Sequence, residues 1–164
     1  MKKSILFFVI LLAGFFSFAK NLTPEMLAER TADKAMNYFL TSGKMPENLN
    51  EISVSQEETL KISIERKSPR KISIKVVNIY FEKQQKEFNE YPRLCPPSDV
   101  KECEIIYEVE KSGEEHIFTV FCDGKKSYMY KKNSDGKIYG EIFFDERFSY
   151  EKDGFKPITE NSLF

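Results

Sequence analysis

Three turn dipeptides in the second half of the chain constrain the fold more than any other feature of the sequence. Ser112-Gly113, Asp123-Gly124 and Asp135-Gly136 follow one another at spacings of 11 and 12 residues. Such dipeptides are typical of β-hairpin turns, and the runs between them are apolar and rich in aromatic residues. Short apolar runs separated by turn signals at this spacing predict an antiparallel β-meander.

The first of these hairpins has a register that can be checked against the apolar pattern. A two-residue turn at Ser112-Gly113 sets Val109 opposite His116. The same count sets Cys103 opposite Cys122, and almost every residue on that face between the two pairs is apolar. For the hairpin at Asp135-Gly136 the turn predicts the pairs Met129 with Ile142 and Ser127 with Phe144.

Two further strands precede the meander. Their apolar residues alternate with polar ones and are Leu60, Ile62 and Ile64 in the first strand and Ile72, Ile74 and Val76 in the second. A two-residue loop would put the two apolar sets on opposite faces of the sheet, so we predict a three-residue loop. The predicted pairs are Ile64 with Ile72 and Ile62 with Ile74.

An amphipathic helix before these strands supplies a layer that can cover the sheet. Thr23 and Pro24 offer a capping hydroxyl and a first-turn proline, and Gly43 is a typical C-terminal cap. Between these positions, apolar side chains recur at helical spacing. The predicted fold class is α+β, with an N-terminal amphipathic helix packed on an antiparallel β-meander of about six strands.

Residues 1–19 have the pattern of a secretory signal peptide. Lys2 and Lys3 precede an apolar run, and Ser17-Phe18-Ala19 offers a small-residue cleavage site. The apolar run is shorter than the roughly 20 residues of a membrane span, so we expect cleavage, with retention as an uncleaved anchor as the alternative. Residues 20–164 then form a single exported domain of the periplasm or the extracellular space, without a stable membrane span.

The charge balance and the motifs exclude several classes of function. With 25 basic and 26 acidic residues, the chain is not a strongly basic nucleic-acid binder. It contains neither a phosphate-binding glycine loop nor a Gly-x-Ser-x-Gly motif. His116 is the only histidine, and we expect it to be a part-exposed structural residue at a strand start. We therefore expect no catalytic residues, no cofactor and no metal.

The three cysteines leave two disulfide connectivities open. Cys103 and Cys122 are directly opposed in the predicted hairpin, at a separation that suits a disulfide. Cys95 with Cys103 would instead close a small loop that contains two prolines. Export permits either bond, and the sequence does not decide between them. We take the pair of Cys103 with Cys122 as the first expectation.

The polar segment between the two halves and the lysine-rich strand of the meander are the candidate binding surface. The segment from 82 to 101 is predicted to be a long loop, opening with a helical turn, and long loops are often functional. The candidate binding residues are Tyr91, Arg93, Lys125, Lys126, Tyr128, Tyr130 and Lys132. The alternative is that these lysines protect a strand edge and that the tyrosines pack across strands.

Tyr38, the run Gly43-Lys44-Met45-Pro46, Leu49 and Ile52 together resemble the helix exit of bacterial type IV pilins and type II secretion pseudopilins. Those proteins place a long N-terminal helix before an antiparallel meander, often with a disulfide in the C-terminal half. This chain lacks their apolar helix after the cleavage site. The resemblance therefore implies only a soluble pilin-like head, and it implies no functional residue.

The leading hypothesis is a non-enzymatic exported domain that binds another envelope or extracellular protein, as an assembly subunit, accessory factor or inhibitor. The alternative is a small periplasmic hydrolase or ligand carrier that uses carboxylates and His116. A third hypothesis is a structural envelope protein held by an uncleaved N-terminus.

Overall fold

The computed structural model of the chain describes residues 22–92 and 97–145. The predicted signal peptide, two of the expected site residues (Arg93 and Cys95) and the tail from 146 to 164 lie outside the described residues.

A long helix comes first among the described elements and is followed by a six-stranded sheet. The elements are α1 (Pro24–Ser42), a 3₁₀ turn (Leu49–Ile52), β1 (Leu60–Ser68), β2 (Lys71–Asn78), α2 (Phe81–Glu90), β3 (Glu102–Val109), β4 (His116–Cys122), β5 (Lys125–Lys132) and β6 (Ile138–Phe143). Every strand pairs antiparallel with its neighbour in the chain, in the order β1-β2-β3-β4-β5-β6. The predicted α+β class and the meander are confirmed.

Helix α1 begins and ends where the sequence predicts. The Thr23 hydroxyl accepts a hydrogen bond from the backbone N–H of Met26, and Pro24 occupies the first turn. Gly43 adopts the left-handed conformation with φ of 74°, and its N–H donates to the carbonyl of Phe39. The buried side of α1 packs on β2 and β3, because its small and apolar residues lie on one stripe.

The core lies between α1 and one face of the sheet, which we call the covered face. Three rings stack across neighbouring strands at its centre. The centroid of Phe118 lies 4.6 Å from that of Tyr107 and 4.8 Å from that of Tyr130, with nearly parallel planes. Cross-strand aromatic pairs of this kind stabilise a sheet beyond the area they bury.

The predicted registers of the meander are confirmed. Val109 pairs with His116 and Cys103 with Cys122. The turn between β3 and β4 is nevertheless longer than the two residues expected, because the N–H of Gly113 donates to the carbonyl of Glu110. Met129 pairs with Ile142, as expected for the last hairpin, and the N–H of Phe144 donates to the carbonyl of Ser127.

The predicted register of the first hairpin is wrong by two residues. Ile64 pairs with Ile74 instead of Ile72, and Ile62 pairs with Val76. The loop has two residues, Pro69 and Arg70, and not the three predicted, and a β-bulge between Arg66 and Ser68 absorbs one further residue of β1. Because the shift is even, the apolar residues of both strands still reach the covered face.

Helix α2 occupies much of the segment predicted to be a loop. Its 10 residues include the i,i+4 pairs Lys83 with Glu87 and Lys86 with Glu90, and none of them is buried. The amide of Gln85 donates to the carbonyl of Ser98, which links the helix to the chain before β3. The apolar pattern could not predict this helix, because it is supported by local charge pairs and not by a buried stripe.

Candidate functional site

The face of the sheet opposite α1 divides into two parts of different chemistry. Alternation along the strands gives its membership. Apart from Val77 at its end, the part over β2 and β3, which we call the charged half, consists of Lys71, Ser73, Lys75, Glu102, Glu104 and Glu108. The part over β3 to β6, which we call the apolar patch, consists of Ile106, Ile117, Thr119, Phe121, Met129 and Ile142.

The side chains of the charged half are satisfied by one another. Lys75 lies 2.6 Å from Glu102, and Lys71 lies 2.9 Å from Glu108. The hydroxyl of Ser73 donates to the carboxylate of Glu104 across the same two strands. Each of these contacts joins neighbouring strands within one chain, so this part of the face is complete without a partner.

The apolar patch continues across three strand pairs. Ile106 pairs with Thr119, Thr119 with Met129, and Met129 with Ile142. Every residue of the patch is partly exposed. Neither of the described helices packs on it, because α1 lies on the covered face and α2 buries no residue.

Polar and aromatic groups border the patch at both ends. At one end, the ammonium of Lys126 lies 4.1 Å from the ring centroid of Phe144, and it has no carboxylate partner among the described residues. At the other end, Lys131 lies 3.0 Å from Glu115, and this contact together with a hydrogen bond from Tyr139 lowers the pKa of Glu115. Partial desolvation and the carboxylate of Glu115 raise the pKa of Tyr139 to about 12.

The two edges of the sheet also differ. On β1, the side-chain amide of Gln56 both donates to and accepts from the backbone of Ile62, which blocks that edge. On β6, the bond from Phe144 to Ser127 places Ile142 in a hydrogen-bonded pair with β5. The backbone N–H and C=O groups of Glu141 and Phe143 therefore point away from β5, toward the outer edge beside the patch.

Three of the predicted binding residues belong to the interior or to ion pairs. Tyr128 and Tyr130 are each only 3% exposed, so both rings lie in the interior of the described fold. The hydroxyl of Tyr128 donates to the carboxylate of Glu29 on α1, and burial raises the pKa of both tyrosines. The ammonium of Lys132 is mostly buried against Asp33 of α1.

Other predicted residues do lie at the surface. Tyr91 is 64% exposed at the end of α2, and Lys125 and Lys126 are exposed at the start of β5. Asp123, in the turn before β5, accepts hydrogen bonds from the backbone N–H groups of Lys101 and Glu102. The end of the predicted loop and the start of β5 are thus neighbours, as the candidate surface requires.

His116 is fully buried, so the expectation of a part-exposed histidine is wrong. Its Nδ1 lies 2.7 Å from the hydroxyl oxygen of Tyr107, and the ring of Phe39 meets it edge-on. Burial lowers the pKa of His116, which favours the neutral imidazole. Its Nε2 has no hydrogen-bond partner in the part of the chain that the structure describes. The ring has no exposed surface in the part of the chain that the structure describes.

The two central cysteines lie opposite each other as free thiols. Cys103 and Cys122 are both fully buried. The hydrogen bond with Cys122, followed by burial, raises the pKa of the Cys103 thiol. Within residues 22–92 and 97–145, no group of histidine, cysteine and acidic side chains is arranged to hold a metal ion.

Sequence reasoning missed the apolar patch, although a signal for it was present. In the run from Ile117 to Phe121, apolar residues stand at both odd and even positions and so point to both faces of the sheet. Ile105 and Ile106 do the same in the preceding strand. A strand with this composition has two apolar faces and needs cover on both. Alternation predicts the covered face but assigns no role to the residues on the other side of each strand.

None of the helices in the described ranges is long and apolar enough to cross a membrane. The resemblance to the soluble heads of pilins and pseudopilins stays a prediction. Comparisons with protein-family models, with curated proteins and with solved structures find no match for this chain.

Proposed function

We propose that this chain is an exported, non-enzymatic protein-binding domain of the bacterial cell envelope, which acts as an assembly subunit, accessory factor or inhibitor. The observation that supports the proposal is the apolar patch, which no described element covers. Contiguous apolar surface of this kind is uncommon on monomeric proteins outside interaction sites. The predicted signal peptide supports the location.

The chemistry around the patch indicates the kind of partner. Lys126 stands at one end of the patch beside Phe144 and has no carboxylate partner within the described chain. The charged half, in contrast, has its carboxylates and ammonium groups paired already. The partner is therefore a protein surface with apolar side chains for the patch and a carboxylate for Lys126.

The proposed binding surface leaves out three of the predicted binding residues. Tyr128 and Tyr130 are buried, the hydroxyl of Tyr128 donates to Glu29 of α1, and the ammonium of Lys132 is paired with Asp33 of α1. Lys125 and Lys126 remain on the surface and stay in the proposed site. Tyr91 and Arg93 belong to the segment predicted to be a loop, and alanine at both positions tests whether that segment contributes.

The test measures how much partner protein is recovered with the wild-type chain and with two variants of it. Each full-length chain is crosslinked in intact cells and recovered through a C-terminal tag. Met129→Glu puts a charge in the centre of the apolar patch. Ser63→Glu is the matched control, because Ser63 is exposed on the same face and pairs with Lys75 of the charged half. We expect Met129→Glu to lower recovery of a specific envelope protein at least about tenfold, whereas Ser63→Glu leaves recovery unchanged.

The proposed contact between Lys126 and a carboxylate of the partner is tested separately. Lys126→Glu should lower recovery of the same protein, and that protein should carry carboxylates at the residues crosslinked near position 126. Equal recovery by all variants would contradict the assigned surface. If the wild-type chain recovers only itself, and its solution mass falls from dimer to monomer with Met129→Glu, the occupant is a second copy and the proposal of a different partner fails.

The hydrolase or carrier alternative receives no support from the surroundings of His116. The ring is fully buried, and its one described hydrogen bond is made with Tyr107. Any activity that is lost in His116→Ala while the far-ultraviolet circular dichroism is unchanged would restore that alternative. The predicted cleavage after Ala19 is tested separately by the intact mass of the protein recovered from the envelope.

A further inference from the structure

We infer that Cys103 and Cys122 form a disulfide while the β3–β4 hairpin is folding, and that the completed fold then shields the pair from further thiol chemistry. This site is independent of the proposed partner binding. The redox state of the folded protein therefore depends on whether an oxidant was present while it folded.

The hairpin geometry suits this bond. The N–H of Asp123 donates to the carbonyl of Glu102, and the N–H of Glu110 donates to the carbonyl of Glu115. Hydrogen-bonded and non-hydrogen-bonded pairs alternate along an antiparallel hairpin. Cys103 with Cys122 is the pair next to Glu102 with Asp123 in the same register. The cysteines therefore form a non-hydrogen-bonded pair, for which the Cα atoms lie about 4.5 Å apart, within the disulfide range.

Burial determines when the bond can form. Both cysteines are fully buried, and each is the other's thiol neighbour. The attacking species in thiol–disulfide exchange is the thiolate, and an apolar surrounding disfavours that anion. α1 lies over the same face of β3. The pair therefore reacts before α1 docks and is inert afterwards.

The oxidant that the step needs is a low-molecular-weight or protein disulfide of the exported compartment. The thiolate of one cysteine attacks that disulfide, forms a mixed disulfide and releases one thiol. The thiolate of the second cysteine then attacks the cysteine sulfur of the mixed disulfide and releases the other thiol. Two cysteine thiols lose two electrons and two protons, and the reagent disulfide becomes two thiols.

The experiment compares oxidation of the folded chain with oxidation during refolding. The chain is reduced, and one portion stays folded while the other is unfolded in urea. Both portions then receive glutathione disulfide, and the second is refolded in it. Trypsin places each cysteine on a different peptide, because Lys101 and Lys111 separate Cys95, Cys103 and Cys122. Mass spectrometry therefore identifies the connectivity directly.

We expect the refolded portion to contain mainly the peptide 102–111 linked to the peptide 112–125, and the folded portion to react at least about 100-fold more slowly at these positions. Cys95→Ser is the control and should leave this linkage in place. The bond should raise the midpoint of thermal unfolding by roughly 10 °C, because it closes a loop in the unfolded chain.

Each other result would overturn the inference. A dominant linkage of Cys95 to either of the other cysteines would assign the disulfide elsewhere. Rapid oxidation of the folded, reduced chain would show that the pair is not shielded. Refolding that leaves both thiols free in Cys95→Ser would show that the hairpin does not support the bond.

Discussion

The charged half and the apolar patch lie side by side on one face of the same sheet, yet they relate to their surroundings differently. In the charged half, the charged side chains already have partners within the chain, as in the ion pair of Lys75 with Glu102. In the patch, residues such as Met129 and Ile142 pair across β5 and β6 and still remain partly exposed. A polar face can be completed by its own neighbours and by water, whereas an apolar face is completed only by another surface.

The same contrast appears across the thickness of β3. Ile105 is fully buried beneath α1, and Ile106, the next residue, is partly exposed on the opposite side. The two side chains have the same composition, so their difference in burial comes from the single helical layer. Substitutions on the two faces should therefore separate stability from binding.

The largest expected effect is at Phe118 on the covered face. Phe118→Ala removes a ring that stacks between Tyr107 and Tyr130 and should lower the free energy of unfolding by about 3–5 kcal/mol. Phe121→Ala on the patch is the matched control and should cost about 1 kcal/mol, because its ring is already partly hydrated. Urea denaturation measures both, and equal losses would mean that the patch is covered in the folded chain.

A smaller effect is expected from the buried polar pair of the covered face. Tyr107→Phe removes the hydroxyl 2.7 Å from His116 and leaves the imidazole without that bond, at a cost of about 1–3 kcal/mol. The double variant with His116→Phe should cost less than the sum of the two single variants. Strict additivity in urea denaturation would show that the two side chains do not interact.

Acid should destabilise the folded chain through His116. Burial lowers its pKa in the folded state, so below about pH 6.5 the unfolded chain binds a proton that the folded chain does not. Stability should therefore fall as the pH falls through this range, by up to about 1.4 kcal/mol per pH unit, until the folded imidazole also protonates. Lys132 lies directly opposite His116 on β5, where it is paired with Asp33 of α1.

The pH effect is isolated by comparison with a variant. His116→Gln cannot titrate and should show a flatter dependence of the unfolding free energy between pH 7 and pH 5. The difference between the two curves removes the contribution of the carboxylates. Parallel curves would contradict the assignment to His116.

The smallest effect is expected in the charged half. Lys71→Ala and Glu108→Ala each remove one partner of a pair that is largely exposed, and a double-mutant cycle should give a coupling of about 0.2–1 kcal/mol. The coupling should shrink further in 1 M salt. A coupling above 2 kcal/mol would mean that this half is better shielded from water than its exposure indicates.

The local signals of the sequence predict much of the fold. The caps of α1 at Thr23 and Gly43, the meander and the pairing of Cys103 with Cys122 all follow from short-range patterns. The position of the turn and the apolar alternation of the strands indicate the same strand register, so few other registers are possible. The register of the first hairpin escapes this reasoning because its two-residue loop and its one-residue bulge together shift the pairing by two residues, which leaves the same side chains on the covered face.

The surface of the molecule depends on contacts between distant parts of the chain. Tyr128 and Glu29 are 99 residues apart, and their hydrogen bond turns a predicted binding residue into a buried one. His116 is likewise buried beneath Phe39 of α1. Alternation identifies two apolar faces in β3 and β4, but local patterns do not indicate which face receives the helix. That choice depends on tertiary packing, because burial is a property of what lies opposite a side chain and not of the side chain itself.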